Sequence, residues 1–223
     1  MIVLEKELSK PYEMIDMVTT PDGSLVAMVH CNNCTSDLNA WVNLFKEYQE
    51  LLGIPVDMDE LYGKLYNIAL TGDTDCGGLL SYNYISGEPV TGLAEGRPLF
   101  VRSANDKFNL ANFMRAHLYA SVGVLKIGND ILFNEEKIKV DRITGHGGLF
   151  RTKGVGQRVL AAAINSPISV METAGEGGAW GIALLGSYLV NNKKGQSLAD
   201  FLDESVFVSD AGVEVSPTPE DVA

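Results

Sequence analysis

The spacing of hydrophobic and polar residues predicts three strands at the start of this 223-residue chain. An apolar run over residues 1–5 predicts a buried strand, and the alternation over residues 12–19 predicts a second strand. The sequence Pro21-Asp22-Gly23 is typical of a turn, so residues 24–30 are predicted to form the third strand. In this order the three strands resemble an antiparallel meander.

Helical spacing dominates the middle of the chain. Thr35 or Ser36 is placed to cap a helix that runs to residue 52, and Gly53 would close it. The other patterns in this part predict helices over residues 57–70 and 108–132 and strands over residues 79–85 and 99–102.

The second half of the chain alternates strands and helices, as α/β units do. The predicted order is strand 140–144, helix 154–163, strand 168–172, helix 176–191, helix 197–203 and strand 205–215. Residues 216–221 resemble a helix N-terminus, with prolines early and acidic residues in the first turn. Because a strand is predicted at residue 1 and a helix start lies close to residue 223, we expect the chain to be cut at both ends.

Two glycine-rich turns, each entering a predicted helix, are the main candidate chemistry. The first is Gly145-His146-Gly147-Gly148, and the second lies within residues 173–181. Because glycine has no Cβ, a strand–glycine–helix connection can bring backbone N–H groups against a phosphate or ribose. The pattern therefore predicts a nucleotide cleft, although ordinary strand–helix connections contain the same glycines.

Composition limits the partners and the compartment. A net charge of −12 argues against nucleic acid and against anionic membranes as partners. No apolar run reaches the roughly 18 residues of a membrane span, and the first residues do not resemble a signal peptide. Three cysteines fit a reducing compartment. We therefore expect one large cytoplasmic domain over residues 1–223, which buries enough surface to fold without disulfides.

Four segments, taken in order, resemble the C-terminal domain of the FGGY carbohydrate kinases, the group of xylulokinase, ribulokinase and glycerol kinase. The segments are NCTSDLNAW (33–41), GGLLSY with SGE (77–82 and 86–88), RA in the long helix (115–116), and GGLFRT (147–152) with the helix over residues 176–186. The resemblance covers nearly the whole chain.

The resemblance implies a fold and a function. The implied fold is an α/β, ribonuclease H-like domain of the actin-like ATPase superfamily, with a mixed sheet and helices on both faces. The implied function is that of the nucleotide-binding C-terminal domain of a kinase that transfers the γ-phosphate of ATP, with Mg²⁺, to a ketopentose of the xylulose or ribulose class.

The resemblance also implies a partner. In the family, an N-terminal domain holds the phosphate-contacting turn, most of the sugar site and the catalytic aspartate. That sugar-binding domain is therefore the expected partner, and the chain alone is expected to be inactive and to bind ATP weakly. A homodimer is left open.

The family motif places one part of the nucleotide site on the first glycine turn. Gly147 and Gly148 would let the backbone pass under the adenosine, and Leu149 stands where the family often has a third glycine. Thr152 would hydrogen-bond the nucleotide or cap the following helix. His146 would contact a phosphate or stack on adenine, or would simply be exposed.

Two further segments complete the candidate site. Thr35 and Ser36, at a helix N-terminus directed toward the same cleft, would contact phosphate or ribose, or would only cap the helix. Gly177 would let the last helix pack beside the nucleotide or against the sheet. Near the cleft, Glu88 and Asp37 would hold magnesium through water or would be exposed.

Two other functions remain as alternatives. The first is a non-catalytic actin-like module that acts with a separate partner. The second is a thiol redox protein that uses Cys31 and Cys34, because a CxxC sequence at a helix start can lower the pKa of a thiol. Cys31 and Cys34 would also suit half of a zinc site, but the remaining cysteine and histidines do not pair at metal-ligand spacing.

Overall fold

The first three strands form an antiparallel sheet in the computed structural model, which describes residues 1–171, 177–207 and 212–222. The strands are β1 (Ile2–Val3), β2 (Asp16–Thr19) and β3 (Leu25–Met28). Their order is β1-β3-β2, so the predicted meander is wrong although all three strands exist. Val26 and Ala27 of β3 are buried whereas β2 is exposed along its length, and this places β3 in the centre.

The six helices predicted in full agree with the structure to within about two residues at their described ends, and the helix start predicted over residues 216–221 is a seventh helix. They are α1 (Ser36–Leu51), α2 (Met58–Ala69), α3 (Leu110–Asp130), α4 (Val155–Ile164), α5 (Gly177–Asn191), α6 (Leu198–Ser205) and α7 (Pro219–Val222). Residues 172–176, which include the predicted start of α5, lie outside the described residues. Within the described part, no helix combines the length and the apolar character that crossing a bilayer requires.

The remaining strands pair as two short antiparallel ribbons. They are β4 (Leu80–Tyr82) with β5 (Leu99–Val101), and β6 (Ile168–Val170) with β7 (Val213–Val215). Short 3₁₀ turns cover Cys76–Gly78, Pro89–Thr91 and Gly148–Phe150, and a π turn covers Ile131–Glu135 at the end of α3. The mixed α/β class is confirmed, with the described strands in three small sheets.

The predicted strand over residues 140–144 does not form as a continuous strand. Only Thr144 pairs with β6, through a parallel bridge to Ser169. Ser169 donates its N–H to the Ile143 carbonyl at 2.9 Å, and Gly145 donates its N–H to the Ser169 carbonyl at 2.8 Å. The preceding residues 140–142 include two exposed charged side chains. This short parallel contact nevertheless fixes where the glycine turn begins.

Helix α3 forms the centre of the larger core. Met114 and Leu118 of α3 are fully buried and belong to the same cluster as buried residues of α1, α2 and α4. Truncating a buried side chain of this size typically costs about 2–5 kcal/mol. Near the far end of α3, Gly128 lets the first sheet approach, since an added Cβ would lie 2.3 Å from a methyl carbon of Val29. The helix thus joins both halves of the structure.

A buried ion network ties α7 to this core. The Asp221 carboxylate accepts hydrogen bonds from Arg115 Nη2 at 2.7 Å and from Arg158 Nε at 2.5 Å. The side chains of Asp221 and Arg115 are only 2% and 4% exposed. Burial alone would raise the pKa of Asp221, but the hydrogen bonds from Arg158, Arg115 and Thr218 hold it well below its usual range. The carboxylate is therefore ionised at neutral pH.

A second buried network centres on His117 of α3. His117 is 1% exposed and lies against the rings of Phe113 and Phe100, while Ser81 Oγ is 3.0 Å from its Nδ1. The Asp37 carboxylate lies 3.5 Å from the same nitrogen and accepts a hydrogen bond from Trp41. Burial lowers the pKa of His117 to about 4, so the imidazole is neutral at pH 7.

Replacing Asp221 should destabilise the fold strongly. Asp221→Ala leaves the buried Arg115 guanidinium without a counter-charge, and losing one member of a buried pair costs about 3–5 kcal/mol. Chemical denaturation measures the change in the free energy of unfolding. The matched control is Glu220→Ala, which removes an exposed neighbouring carboxylate from the same short helix. Equal stability losses in the two variants would show that the ion network contributes little.

The neutral His117 predicts a loss of stability in mild acid. As the pH falls from about 6.5 to about 4, the unfolded chain takes up a proton that the folded protein excludes. The free energy of unfolding should therefore fall by about 3 kcal/mol across this window and change no further below it on account of His117. Burial raises the pKa of Asp37, and this acts in the opposite direction.

Comparison with His117→Phe isolates the histidine contribution, because phenylalanine suits the aromatic surroundings and does not titrate. Urea denaturation from pH 7.5 to pH 4 should give a flatter profile for His117→Phe than for the unsubstituted chain. The exposed His30 is present in both proteins, so the difference between their profiles reports the change at position 117. Parallel profiles for the chain with and without His117 would contradict the assignment.

Candidate functional site

A cavity of about 1010 Å³ opens between α1, α2, the glycine turn and the end of β6. The cavity is lined by Thr35, Asn39, Met58, Asp59, Tyr62, Gly63, Tyr66, Gly148, Leu149, Phe150, Arg151, Thr152, Lys153, Val170 and Met171. Clefts next to the carboxyl end of a strand are frequent ligand sites in α/β proteins. This cavity is therefore the candidate functional site.

The glycine turn forms one side of the cavity, and its shape depends on small residues. Gly147 has φ 106° and ψ −179°, a backbone conformation that residues with a Cβ rarely adopt. The Phe150 N–H donates to the Gly147 carbonyl at 3.0 Å and closes a 3₁₀ turn. Gly145 must lack a Cβ because the Phe150 ring would lie 2.4 Å from it. The turn is thus folded back on itself with its backbone exposed to the cavity at Gly148.

Helix α4 follows directly and holds the turn from behind. An added Cβ on Gly156, in the first turn of α4, would lie 2.6 Å from the Leu149 carbonyl oxygen. Gly154 occupies the N-cap position in a left-handed conformation, and no side chain caps the helix. The glycines therefore allow close packing between the turn and α4, which fixes the side of the cavity that Leu149 lines.

Helices α1 and α2 form the opposite side. On α2, Asp59, Tyr62, Gly63 and Tyr66 follow the i, i+3, i+4, i+7 spacing of a single helix face. The Tyr62 hydroxyl donates to Asn39 Oδ1 of α1 at 3.0 Å and joins the two helices. Burial raises the pKa of Tyr62, so its phenol stays protonated and remains a donor. This side combines aromatic surface with a few polar groups.

The charges at the cavity differ from those of the whole chain. The protein has a net charge of −12, yet the described lining contains two cationic residues, Arg151 and Lys153, and one carboxylate, that of Asp59. Both cations belong to the segment that directly follows the glycine turn. The local balance is compatible with an anionic group near the turn.

Four of the seven candidate residues line this cavity: Gly148, Leu149, Thr152 and Thr35. The capping alternatives fail for both threonines. Thr35 is in the N-cap position of α1, but its hydroxyl makes no capping hydrogen bond. The N-cap of α4 is Gly154, so Thr152 does not cap that helix. Both threonines therefore line the cavity, and helix capping does not account for either hydroxyl.

The other three candidates lie beside the cavity and do not line it. Gly147 shapes the turn from the position before Gly148, and Ser36 is the first residue of α1. Gly177 faces His146, because an added Cβ would lie 3.0 Å from His146 Nδ1. The absence of a side chain at Gly177 therefore lets α5 begin against the glycine turn, which agrees with a packing role.

The two acidic candidates are buried away from the cavity, so the expectation that they are exposed is wrong. Glu88 is inaccessible and accepts hydrogen bonds from the Asn32 N–H and the Asn33 side chain. Asp37 faces His117 and Trp41. Neither residue lines the cavity. These polar partners replace water at Glu88 Oε2 and at the Asp37 carboxylate.

Sequence reasoning found Thr35 but missed the other residues of the side formed by α1 and α2. Asn39 lies one helical turn after Thr35, so the helix spacing alone would have placed it on the same face. Tyr62 and Tyr66 resemble ordinary core residues in the sequence, and only the intervening Gly63 and the polar Asp59 indicate that this face borders a space. Lys153 follows Thr152 directly and would have been found by extending the motif by one residue.

Comparison with known proteins gives a family match. The model of the FGGY family of carbohydrate kinases, C-terminal domain, matches residues 1–190. No match is found among curated proteins.

Solved structures show the same fold. The ligand-bound xylulose kinase from Lactobacillus acidophilus matches 96% of the chain with a TM-score of 0.66 and 18% identity, and the match covers 41% of that kinase. Xylulose kinase from Rhodospirillum rubrum matches 96% of the chain with a TM-score of 0.63 and 17% identity, covering 40% of that kinase.

A third structure extends the likeness beyond xylulose kinases. Glycerol kinase from Plasmodium falciparum, solved with ADP, matches 80% of the chain with a TM-score of 0.52 and 18% identity, covering 31% of that kinase. The chain therefore spans about 40% or less of the length of these kinases.

The neighbours have the actin-like ATPase fold, so the fold expected from the sequence is confirmed. The family match, which covers most of the chain, also confirms the resemblance seen in the sequence motifs. The chain belongs to the FGGY family of carbohydrate kinases, whose members are phosphotransferases, and corresponds to their C-terminal domain.

Proposed function

We propose that this chain provides the adenosine side of the ATP site in a carbohydrate kinase. The observation that carries the proposal is the cavity, where four residues selected from the family motif lie together: Gly148, Leu149, Thr152 and Thr35. These residues come from two segments more than a hundred positions apart in the sequence. Their convergence on a single space is what a nucleotide site requires.

The cavity suits a nucleotide in size and in chemistry. Its volume of about 1010 Å³ is at the upper end of the range usual for small-molecule and cofactor sites. Tyr62 and Phe150 offer aromatic surface for adenine, and Gly148 exposes backbone without a side chain. Arg151 and Lys153 carry the positive charge that a polyphosphate needs.

Magnesium would enter with the nucleotide in this proposal. Within the described residues, no group of three His, Cys, Asp or Glu side chains is placed to hold a metal ion. Mg²⁺ commonly keeps several waters and binds one or two carboxylates together with substrate phosphates. Asp59 supplies one carboxylate at the cavity, which fits that mode. The ion would neutralise charge on the phosphates.

The exposed face of α5 supports a separate sugar-binding domain as partner. Ile182, Leu189 and Val190 are 72%, 78% and 82% exposed, and they share one face of the helix. A contiguous apolar face is uncommon on a protein surface unless another surface covers it. Since the chain spans only part of its relatives, we infer that the sugar-binding domain of the same kinase covers this face.

The sugar in this proposal is a ketopentose of the xylulose or ribulose class. The support is that two structures sharing the fold over 96% of the chain are xylulose kinases. A carboxylate of the sugar-binding domain would accept the proton of the sugar hydroxyl while the chain positions the nucleotide for in-line transfer. Domain closure would bring the two reacting groups together and exclude water.

Blocking the glycine turn should weaken nucleotide binding without unfolding the protein. Gly148 has open space around it and no left-handed backbone requirement, so Gly148→Leu should fold while filling part of the cavity. Isothermal titration calorimetry with a non-hydrolysable ATP analogue should show at least tenfold weaker binding, about 1.4 kcal/mol.

The matched control for Gly148→Leu is Gly186→Leu, an equally open glycine on α5 that does not line the cavity. This control should bind like the unsubstituted chain. Unchanged affinity in Gly148→Leu, or an equal loss in both variants, would contradict an adenosine site at the turn.

Kinase activity should require the sugar-binding domain. In a coupled assay that detects ADP, the 223-residue chain should show no turnover with xylulose, ribulose or glycerol above the rate without sugar. The physical reason is that the described residues at the cavity offer no second carboxylate beside Asp59 to accept the hydroxyl proton. Robust sugar-dependent turnover by the chain alone would show that it contains its own catalytic base.

A further inference from the structure

The segment Cys31-Asn32-Asn33-Cys34 lies between the first sheet and α1, and the nucleotide proposal gives it no role. All three cysteines of the protein are free thiols in the structure. Cys31 is half-buried and Cys34 is exposed. Cys76, the third, is far along the chain, after α2. The two cysteines of this segment therefore form a pair that is open to solution on one side.

A buried carboxylate fixes the residues between the two thiols. Glu88 Oε2 accepts a hydrogen bond from the Asn32 N–H at 3.0 Å and another from the Asn33 side chain at 3.0 Å. The other oxygen of Glu88, Oε1, is buried and has no hydrogen-bond partner. Asn33 also accepts the Ser86 N–H at 2.9 Å. These hydrogen bonds fix Asn32 and Asn33, and thereby the positions of Cys31 and Cys34 on either side of them.

The thiol of Cys34 is directed back across this loop toward Cys31. Cys34 Sγ lies 3.5 Å from the Cys31 carbonyl oxygen, to which it donates. The backbone of Cys34 has φ 31°, a left-handed conformation that a non-glycine residue rarely adopts. Two cysteines separated by two residues at a helix N-terminus are the arrangement found in redox-active CxxC sequences.

The two thiols differ in acidity. A hydrogen bond from Cys31 lowers the pKa of Cys34 to about 7, although burial and Glu88 act against the shift and His30 acts with it. The hydrogen bond with Cys34, together with burial, raises the pKa of Cys31 far above its usual value. At neutral pH the exposed sulfur is thus partly a thiolate, while the half-buried sulfur is a thiol. Such a pair has one attacking and one resolving cysteine.

A metal site does not explain the pair. A structural zinc ion needs four ligands, and the described residues contain no group of three or more His, Cys, Asp and Glu side chains that would hold one. The two cysteines therefore remain available for thiol chemistry.

We propose that Cys31 and Cys34 form a reversible intrachain disulfide by exchange with a small-molecule disulfide such as oxidised glutathione, and that this oxidation displaces Thr35 at the cavity. The first part of this proposal, the formation of the disulfide, does not depend on the proposed nucleotide site. Its second part rests on the proposed nucleotide site, because Thr35 is the residue that follows Cys34 and lines the cavity.

The exchange balances in two steps. The Cys34 thiolate attacks one sulfur of oxidised glutathione, which forms a mixed disulfide and releases one glutathione thiolate. Cys31 then loses its proton to solvent, attacks the Cys34 sulfur and releases the second glutathione thiolate. Two protein thiols are oxidised to one disulfide, and one glutathione disulfide is reduced to two thiols.

Oxidation would reach the cavity through the start of α1. The Cys34 carbonyl accepts a hydrogen bond from the Asn83 side chain at 2.7 Å, which holds the backbone in its left-handed conformation. Drawing the Cys34 sulfur onto Cys31 turns this peptide and the adjoining Thr35. Asp37 and Leu38, in the first turn of α1 after the exposed Ser36, are buried and stay fixed. The displacement is therefore confined to the end of the helix that borders the cavity.

The first measurement is mass spectrometry after alkylation with N-ethylmaleimide. In Cys76→Ser, both remaining thiols should be alkylated in the reduced protein and neither after treatment with oxidised glutathione, and dithiothreitol should restore both. Proteolysis of the unsubstituted protein should give a linked peptide that contains Cys31 and Cys34. Thiols that stay alkylatable, or a stable glutathione adduct in place of the linked peptide, would overturn the disulfide.

The second measurement is calorimetry of the ATP analogue with reduced and oxidised Cys76→Ser. The oxidised form should bind at least threefold more weakly, whereas Cys34→Ser should bind equally before and after the same treatment. Equal affinities of the two forms of Cys76→Ser, with the disulfide present, would overturn the link to the cavity. Absence of binding by the reduced protein would overturn the nucleotide site and the link, and would leave the disulfide established.

Discussion

Helix α3 is buried along most of its length, so its polar side chains must find partners inside the protein. Three of them do so in different directions: Arg115 meets Asp221, His117 meets Ser81, and Asn112 holds the loop after α2. Asn112 accepts the Asp73 N–H at 2.7 Å. An unpaired polar group at these positions would cost several kcal/mol. The hydrogen bonds that these three side chains make therefore help to decide which segments pack on α3.

The candidate site depends on the same helix without containing any of its residues. Helix α2, which supplies Tyr62, and helix α4, which supports the glycine turn, both pack their apolar faces in the core around α3. The space between them is left open because the facing positions are small or polar, as at Gly63 and Gly148. The cavity is thus the gap that remains when two helices are fixed on a third and cannot close on each other. Because such a gap is already formed, a ligand that enters it would cost the protein little conformational entropy.

The sequence predicted the helices well because their apolar spacing is local information. The pairing of strands is not local information. Strand β1 pairs with β3, which buries Val26 and Ala27 in a central strand, and nothing within residues 1–30 excludes a meander. The same limit applied to the site. The glycine turn could be predicted since glycines carry a backbone requirement, whereas Tyr62 became a site residue only when α2 was placed opposite the turn. Asp221 was visible as an acidic residue of a short helix, but its two arginine partners lie far away in sequence.

The start of α1 joins an exposed segment, which ends at Cys34, to a helix whose first turn packs into the core. On one side of Thr35, Asp37 and Leu38 are buried against α3 and its aromatic surroundings, and moving them would disturb the core. On the other side, Cys34 is exposed, and its carbonyl accepts a hydrogen bond from Asn83. Because a helix end responds to a change in the peptide before it more readily than to a shift of its buried face, chemistry at Cys34 acts on Thr35 and leaves α3 in place. The cavity can therefore be altered at its edge while the helices that create it remain fixed.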